Sequence, residues 1–197
     1  EQGGFAIENA NLIKRLRKQS QMFLDLSASM SSSLDVKKII QAMTQELVET
    51  LRIKAASVRL LDDETLTVKL ITSFGLSDKY LNKGPVKADK NIARALKGET
   101  IYIKDVSIDP GIQYKKEKAE EGIVSMLYVP IKSQDKVIGV LNIYSSWSRE
   151  FTDDEILLVQ ALAYQGGLAI SNASMNIMLQ EDIKDLKDNI WSHKCWF

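Results

Sequence analysis

His193 and Cys195 are the only histidine and cysteine of the 197-residue chain, and they stand two apart in Trp191-Ser192-His193-Lys194-Cys195-Trp196-Phe197. An imidazole and a thiolate both ligate zinc, but a structural zinc site takes about four such ligands and a catalytic one about three. Further ligands would have to come from carboxylates elsewhere, and a terminal tail without metal is the simpler account. A single cysteine cannot close an internal disulfide and cannot supply the second thiol that redox catalysis needs. The acids Asp62-Asp63-Glu64 lie between two β-prone runs and read as a hairpin turn rather than a metal site. No glycine-rich phosphate loop, nucleophile elbow or His–carboxylate pair occurs. The expectation is therefore a protein that is not an enzyme, with no catalytic residues, no metal site and no cofactor.

Composition narrows the class further. Apolar residues make up 45% and charged residues 26%, with 26 basic side chains against 26 acidic ones, so no field draws nucleic acid or anionic lipid. No apolar run approaches the roughly 20 residues of a membrane span, and the N-terminus lacks the blocks of a signal peptide. A cytoplasmic protein with neither nucleic-acid nor membrane partners is expected. The chain starts at Glu1 rather than Met, as a segment of a longer protein would.

The elements that must position any site can be read from periodicity. Phe5, Asn9, Leu12, Leu16, Gln19, Phe23, Leu26 and Met30 step by fours and threes, which predicts a long helix from about Gly4 to Ser31. Its seam faces either the core of its own domain or a partner helix, and the polar Asn9 and Gln19 would fix register in the second case. Ser33 or Asp35 caps a second helix running to Arg52, with Val36, Ile39, Ile40, Met43, Leu47, Val48 and Leu51 on one side. Ala56–Leu61 and Leu66–Thr72 read as a hairpin, Ala88–Lys97 as a short helix stopped by Gly98, and Ile101–Ile103 as a strand. A loop Asp105–Pro110 and a charged helical stretch from Tyr114 to Glu121 follow. Met126–Ile131 and Lys136–Tyr144 form a second hairpin around Ser133-Gln134-Asp135, and Thr152 caps a last helix from Asp153 to at least Gln180. Hairpins with helices laid over them predict an α+β domain with a mainly antiparallel sheet.

Several of these segments resemble the GAF domain family, the small-molecule sensing and dimerisation modules of signalling proteins, over about Leu34 to Ala173. Ser125-Met126-Leu127-Tyr128-Val129-Pro130-Ile131 followed by Val137-Ile138-Gly139-Val140-Leu141 is similar to the family's S-x-L-x-V-P-[LI] and [VI]-I-G-V-[LI] hairpin. Gly98-Glu99-Thr100-Ile101 and Asp105-Val106 to Asp109-Pro110 resemble its G-E-x-[VI] and D-V-x-x-D-P loop. Phe151-Thr152-Asp153-Asp154-Glu155, then Leu162-Ala163, Gln165, Ala169-Ile170 and Asn172-Ala173, resemble its terminal helix. The resemblance implies a PAS-related central sheet with terminal helices on one face and short helices with a lid on the other. The implied organisation is a connector helix over residues 1–33, a GAF-like domain over 34–174, and a helical extension with an aromatic tail over 175–197.

The family's specialised chemistries find few of their residues here. Methionine sulfoxide reduction needs several cysteines in the domain body, bilin attachment needs one, and haem ligation needs a histidine; His193 and Cys195 both lie in the tail. The cyclic-nucleotide signature N-K…F…D-E is broken at Asn142-Ile143 and in the spacing from Phe151 to Asp154-Glu155. What the resemblance leaves is its general pocket under the segment Ile101–Val124, punctuated by Gly111 and Gly122. The candidate lining is Asn91 and Ile92 on the short helix, Ile108 and Tyr114 in the lid, and Arg59, Tyr128, Asn142 and Tyr144 on strands. The expected function is a regulatory sensory module that binds an unidentified small ligand, homodimerises through its terminal helices and signals to other domains of a longer protein. The alternative is an interaction scaffold with no ligand.

Gln2–Ala10 and Gln165–Ala173 differ only at Phe5/Leu168 and Glu8/Ser171. The first copy resembles the end of a preceding GAF-like domain, so a tandem array joined by connector helices is expected. At the same offset Leu16 matches Leu179 and Phe23 matches Leu186, and Leu179, Ile183, Leu186 and Ile190 continue the seam. Together with Phe5, Leu12 and Leu26 these are the candidate dimer and signalling positions.

Overall fold

The structure, a computed structural model, describes residues 36–62, 65 and 67–193, with side chains described as far as residue 175. The helix expected over Gly4 to Ser31, with Phe5, Leu12, Leu16, Phe23 and Leu26, lies outside the described residues, as does Cys195.

Helix α1 (Val36–Leu51) forms where the apolar residues recur at threes and fours, and Ile39, Ile40, Met43, Leu47, Val48 and Leu51 are all buried. Each such side chain stabilises the fold by roughly 1.5–3 kcal/mol. Strand β1 (Ala55–Asp62) turns back as β2 (Thr67–Phe74), with a bulge between Val58 and Arg59. Helices α2 (Asp78–Leu81) and α3 (Lys90–Leu96), strand β3 (Ile101–Ile103) and helix α4 (Lys115–Glu120) make up the middle. The second hairpin is β4 (Ser125–Ser133) and β5 (Lys136–Ser145), and α5 (Asp153–His193) closes the chain. The five strands run in the order β2-β1-β5-β4-β3, each pair antiparallel, which is the α+β architecture expected. The sequence gives no periodic signal for α2, a single turn whose Ser77 hydroxyl accepts from the Tyr80 N–H at 3.2 Å.

The pleat sorts side chains onto two cores, because neighbours on a strand point to opposite faces. Val58, Leu127, Val129, Leu141 and Ile143 pack beneath α1 and beneath Leu158, Val159, Leu162 and Ala163 of α5. On the other face Ala55, Met126, Tyr128, Val140 and Tyr144 meet Tyr80, Ile92, Ala95 and Ile123 of the middle segment. Pro130 pairs with Val140 inside β4, past the end of β3, where β4 is the sheet edge and such a residue is tolerated.

Two glycines set how closely backbones approach. A Cβ at Gly139 would stand 2.3 Å from the Arg59 carbonyl on the neighbouring strand. A Cβ at Gly167 would stand 1.8 Å from the Lys132 carbonyl, so the absence of a side chain is what lets α5 lie against β4. Helix α5 starts with a capping box: the Glu155 N–H donates to the Thr152 hydroxyl at 3.3 Å, and the Thr152 N–H donates to the Glu155 carboxylate at 3.1 Å. The Phe151 ring meets Tyr102 edge to face at 6.1 Å between centroids and lies under the Arg149 guanidinium. Among the described residues one stretch, Asp153–Met175, is long and apolar enough by length and composition to cross a membrane. Its apolar character has a local cause, since Leu158, Val159, Leu162 and Ala163 are the side chains that cover the sheet.

Candidate ligand cavity beneath the lid

The second core is not filled at its centre. The inward residues of β1 and β5 there are polar: Ser57, Arg59, Asn142 and Tyr144 are all buried. The Tyr144 and Ser57 hydroxyls lie 2.9 Å apart, and the Asn142 amide donates to Ser57 at 3.3 Å, so one serine ties the two strands' polar groups together. The Asn142 Oδ1 is buried with no hydrogen-bond partner. An acceptor left dry in this way costs about 1–3 kcal/mol, and it faces a cavity of about 20 Å³, room for a single water.

The wall facing the sheet comes from the middle segment. The Asp89 carboxylate caps α3 through the N–H groups of Asn91 and Ile92 at 3.1 and 2.9 Å, and Ile92 reaches the cavity. Tyr80 of α2 stands edge to face on Tyr144 at 6.3 Å. From the lid come Tyr114 and Lys118, and from the loop before it Lys83. The Tyr114 backbone is left-handed, φ 55°, and its hydroxyl donates to the Pro85 carbonyl at 2.8 Å, pinning the lid across the opening. Gln113 does the same against Lys87, donating to its carbonyl at 2.8 Å.

Positive charge is concentrated here. Lys118 is buried and donates to the Gln113 carbonyl at 2.6 Å, while the Lys83 ammonium donates to the Tyr80 carbonyl at 3.1 Å and sits 3.7 Å above the Tyr80 ring. Arg59, also buried, makes a 3.4 Å contact to the Val68 carbonyl. Burial, then the neighbouring Arg59 and Lys118, push Lys83 down to about 8, although Glu117 and Glu121 act the other way. Burial pushes Lys118 down to about 8 as well; Asp89 opposes that shift, Arg59 adds to it, and Glu117 opposes it. The Tyr80 and Tyr128 hydroxyls are pushed up, chiefly by burial, and stay protonated donors.

Outside this chamber an open cleft of about 580 Å³ runs between α2 and α4, and Tyr80 and Lys83 line both spaces. The lid is latched across it at the surface. The Ser77 N–H donates to Glu121 at 3.0 Å, the Ser77 hydroxyl bonds the same carboxylate, Lys54 lies 3.8 Å from it, and Lys79 pairs with Glu120 at 2.9 Å.

Of the residues named from sequence, the structure brings Arg59, Ile92, Tyr114, Tyr128, Asn142 and Tyr144 to this cavity. Asn91 is next to it but spent on the loop, where its amide donates to Asp109 at 2.9 Å against the backbone of Gly111. Ile108 points to solvent, 76% exposed. Lys83, Lys118, Tyr80 and Asp89 were not anticipated: Lys118 sits in a run of charges with nothing in its spacing to mark it as inward, and Lys83 lies in a loop. Among the described residues no group of three or more His, Cys, Asp or Glu side chains gathers as a metal would require. Leu179, Ile183, Leu186 and Ile190 lie on α5.

No curated protein matches the chain. Solved structures do. A GAF domain of a phosphoenolpyruvate-protein phosphotransferase from Coxiella burnetii superposes with a TM-score of 0.72 at 21% identity, covering 80% of this chain and 95% of that one. A domain of a putative two-component sensor histidine kinase from Sinorhizobium meliloti gives 0.63 at 21%, covering 73% and 95%. Free methionine-R-sulfoxide reductase from Neisseria meningitidis gives 0.67 at 16%, covering 80% and 91%. At such identities the likeness is one of fold. The GAF domain family itself matches residues 33–171, and with the antiparallel sheet, the lid and the paired hairpins in place, the chain belongs to the GAF domain family of signalling and sensory modules.

Proposed function

We propose that the chain is a regulatory sensory module which binds a small ligand beneath the lid, dimerises through its terminal helices, and passes occupancy to other domains or partners by binding rather than by catalysis. One observation carries this: on β5 the cavity and the helices share consecutive residues. Asn142 and Tyr144 face the chamber, while Leu141 and Ile143 pack under α1 and α5. A shift of β5 on ligand entry therefore moves the floor on which α5 rests, and packed interfaces pass on such shifts by changing between discrete arrangements. Dimerisation finds support in α5, where Leu157, Tyr164 and Met175 are 64%, 50% and 54% exposed and fall on one face.

Sedimentation of the 197-residue chain at tens of micromolar, with a melting screen of small ligands, tests both halves. A dimer whose melting point rises with a ligand is expected; a strict monomer would end the dimeric proposal. The scaffold alternative is favoured by the chamber's small size, about 20 Å³, and predicts a dimer that no ligand stabilises.

A further inference from the structure

We infer that the ligand of this chamber is a compact organic anion, held by Arg59, Lys83 and Lys118 and by hydrogen bonds from the tyrosine hydroxyls. This rests on the chamber being a ligand site and goes further by naming the chemical class.

Charge imbalance is the first ground. Among the described residues, three cations line the chamber and Asp89 is the one carboxylate, already engaged in capping α3. Arg59 and Lys118 are each only 6% exposed, and none of the three cations has a carboxylate within ion-pair distance among the described residues. Like charges gathered in a poorly solvated space repel, and a protein keeps them together at a cost unless a partner completes the set. Burial is the main cause that holds both lysines down; Arg59 adds to it for each, Lys118 adds to it for Lys83, and Asp89 and Glu117 oppose it for Lys118.

Geometry is the second ground. The three cations come from three elements, β1, the loop after α2, and α4 on the lid, so an anion at their centre would draw the lid onto the sheet. Arg59 presents a planar fork suited to a carboxylate or phosphate, while Tyr80, Tyr128 and Met126 supply an apolar wall for a short carbon body. At about 20 Å³ the chamber holds one water with the lid down, so even a compact anion enters by lifting the lid. Lys83, which lines both the chamber and the outer cleft, stands where an anion would enter.

The test is a melting series on the full chain at fixed ionic strength with acetate, malonate, succinate and inorganic phosphate, each organic acid run beside its neutral amide. At about a hundredfold excess over Kd, one or more of the acids should raise the melting midpoint by about 5–10 °C, its amide leaving it unmoved. Stabilisation by phosphate alone would make the site one for an inorganic ion and overturn the organic class. Lys83→Met should weaken the response at least tenfold in apparent Kd, and Lys118→Glu, which supplies a tethered carboxylate, should abolish it. Lys83 is half-buried in a loop, so its variant keeps the test open if the Lys118 variant does not fold. Equal stabilisation by acid and amide, no response to any of the anions, or an undiminished response in Lys83→Met overturns the anion assignment. A neutral ligand stabilising the protein would then leave the sensory proposal standing, whereas anion binding that leaves α5 unchanged would sink that proposal and spare this one.

Discussion

Glu121, the residue that ends the lid helix, accepts a hydrogen bond from the backbone N–H of Ser77 at 3.0 Å, across 44 positions of chain. One carboxylate thus holds the lid against the cap of α2, with Lys54 beside it. Burial alone would raise its pKa, but the hydrogen bonds from Ser77 and the charge of Lys54 outweigh that and hold it below the ordinary glutamate range. A carboxylate depressed in the fold adds stability above its unfolded pKa, and that contribution is lost as pH falls through the folded value. Glu121→Gln should therefore cost about 1 kcal/mol at neutral pH and remove part of the acid dependence. Hydrogen exchange should show faster opening of residues 105–122; unchanged exchange would mean that the lid is held elsewhere.

The lysines under the lid carry the opposite sign. Lys83 and Lys118 fall from an ordinary 10.5 to about 8, so the folded protein holds fewer protons than the unfolded chain between those values. Unliganded stability should rise as pH climbs from about 8 to about 10.5, with the penalty fully present below about 8. The facing groups are Arg59, Asp89, Glu117, Glu121, Tyr80 and Tyr114, and burial of the two ammonium groups outweighs the acids among them. Urea midpoints of the wild type and Lys118→Met across this range check it: the variant should rise less steeply. Equal slopes would count against it.

Arg149 joins the two terminal helices. Its guanidinium donates to the Leu51 carbonyl at the end of α1 at 2.7 Å and to Glu155 in the first turn of α5 at 2.5 Å. Glu155 is 4% exposed, so truncating Arg149 takes the guanidinium away from a buried carboxylate. Arg149→Ala should destabilise by about 3–5 kcal/mol, and Arg149→Ala with Glu155→Gln by less than the sum of the two singles, in chemical denaturation.

Adjacent glycines on α5 should respond in opposite directions. Gly167→Ala drives a methyl group into the Lys132 carbonyl and should cost at least about 1–3 kcal/mol by lifting α5 from β4. Gly166→Ala meets only the flexible end of Met43 at 3.5 Å and should gain up to about 1 kcal/mol from helix propensity. Melting curves of the two variants decide; equal losses would place the close approach at both positions.

These glycines also show how far sequence reaches. The Gln-Gly-Gly repeat was visible as a pattern, and Gly167 turns out to be the contact between the helix and β4, a cause no spacing rule contains. Periodicity located α1, both hairpins and the capped start of α5 because each buries a regular stripe. It missed α2, whose single turn is too short for any period and is fixed by Ser77 and the lid. For the chamber, the pocket implied by the family resemblance pointed to Arg59, Tyr128, Asn142 and Tyr144, whereas Lys83 and Lys118 depend on how a loop and a lid fold over the sheet. Ile108, named from the lid of the resembling family, stands in solvent, beside the loop's tie between Asp109 and Asn91.

The central claim is that occupancy of the chamber is felt by α5 through β5. Hydrogen exchange resolved by residue, on the full chain with and without the stabilising ligand from the melting series, tests it most directly. The account predicts slower exchange in the lid, residues 105–122, together with a change along α5 beyond Leu162. Protection confined to the lid, with α5 exchanging at its unliganded rate, would contradict it.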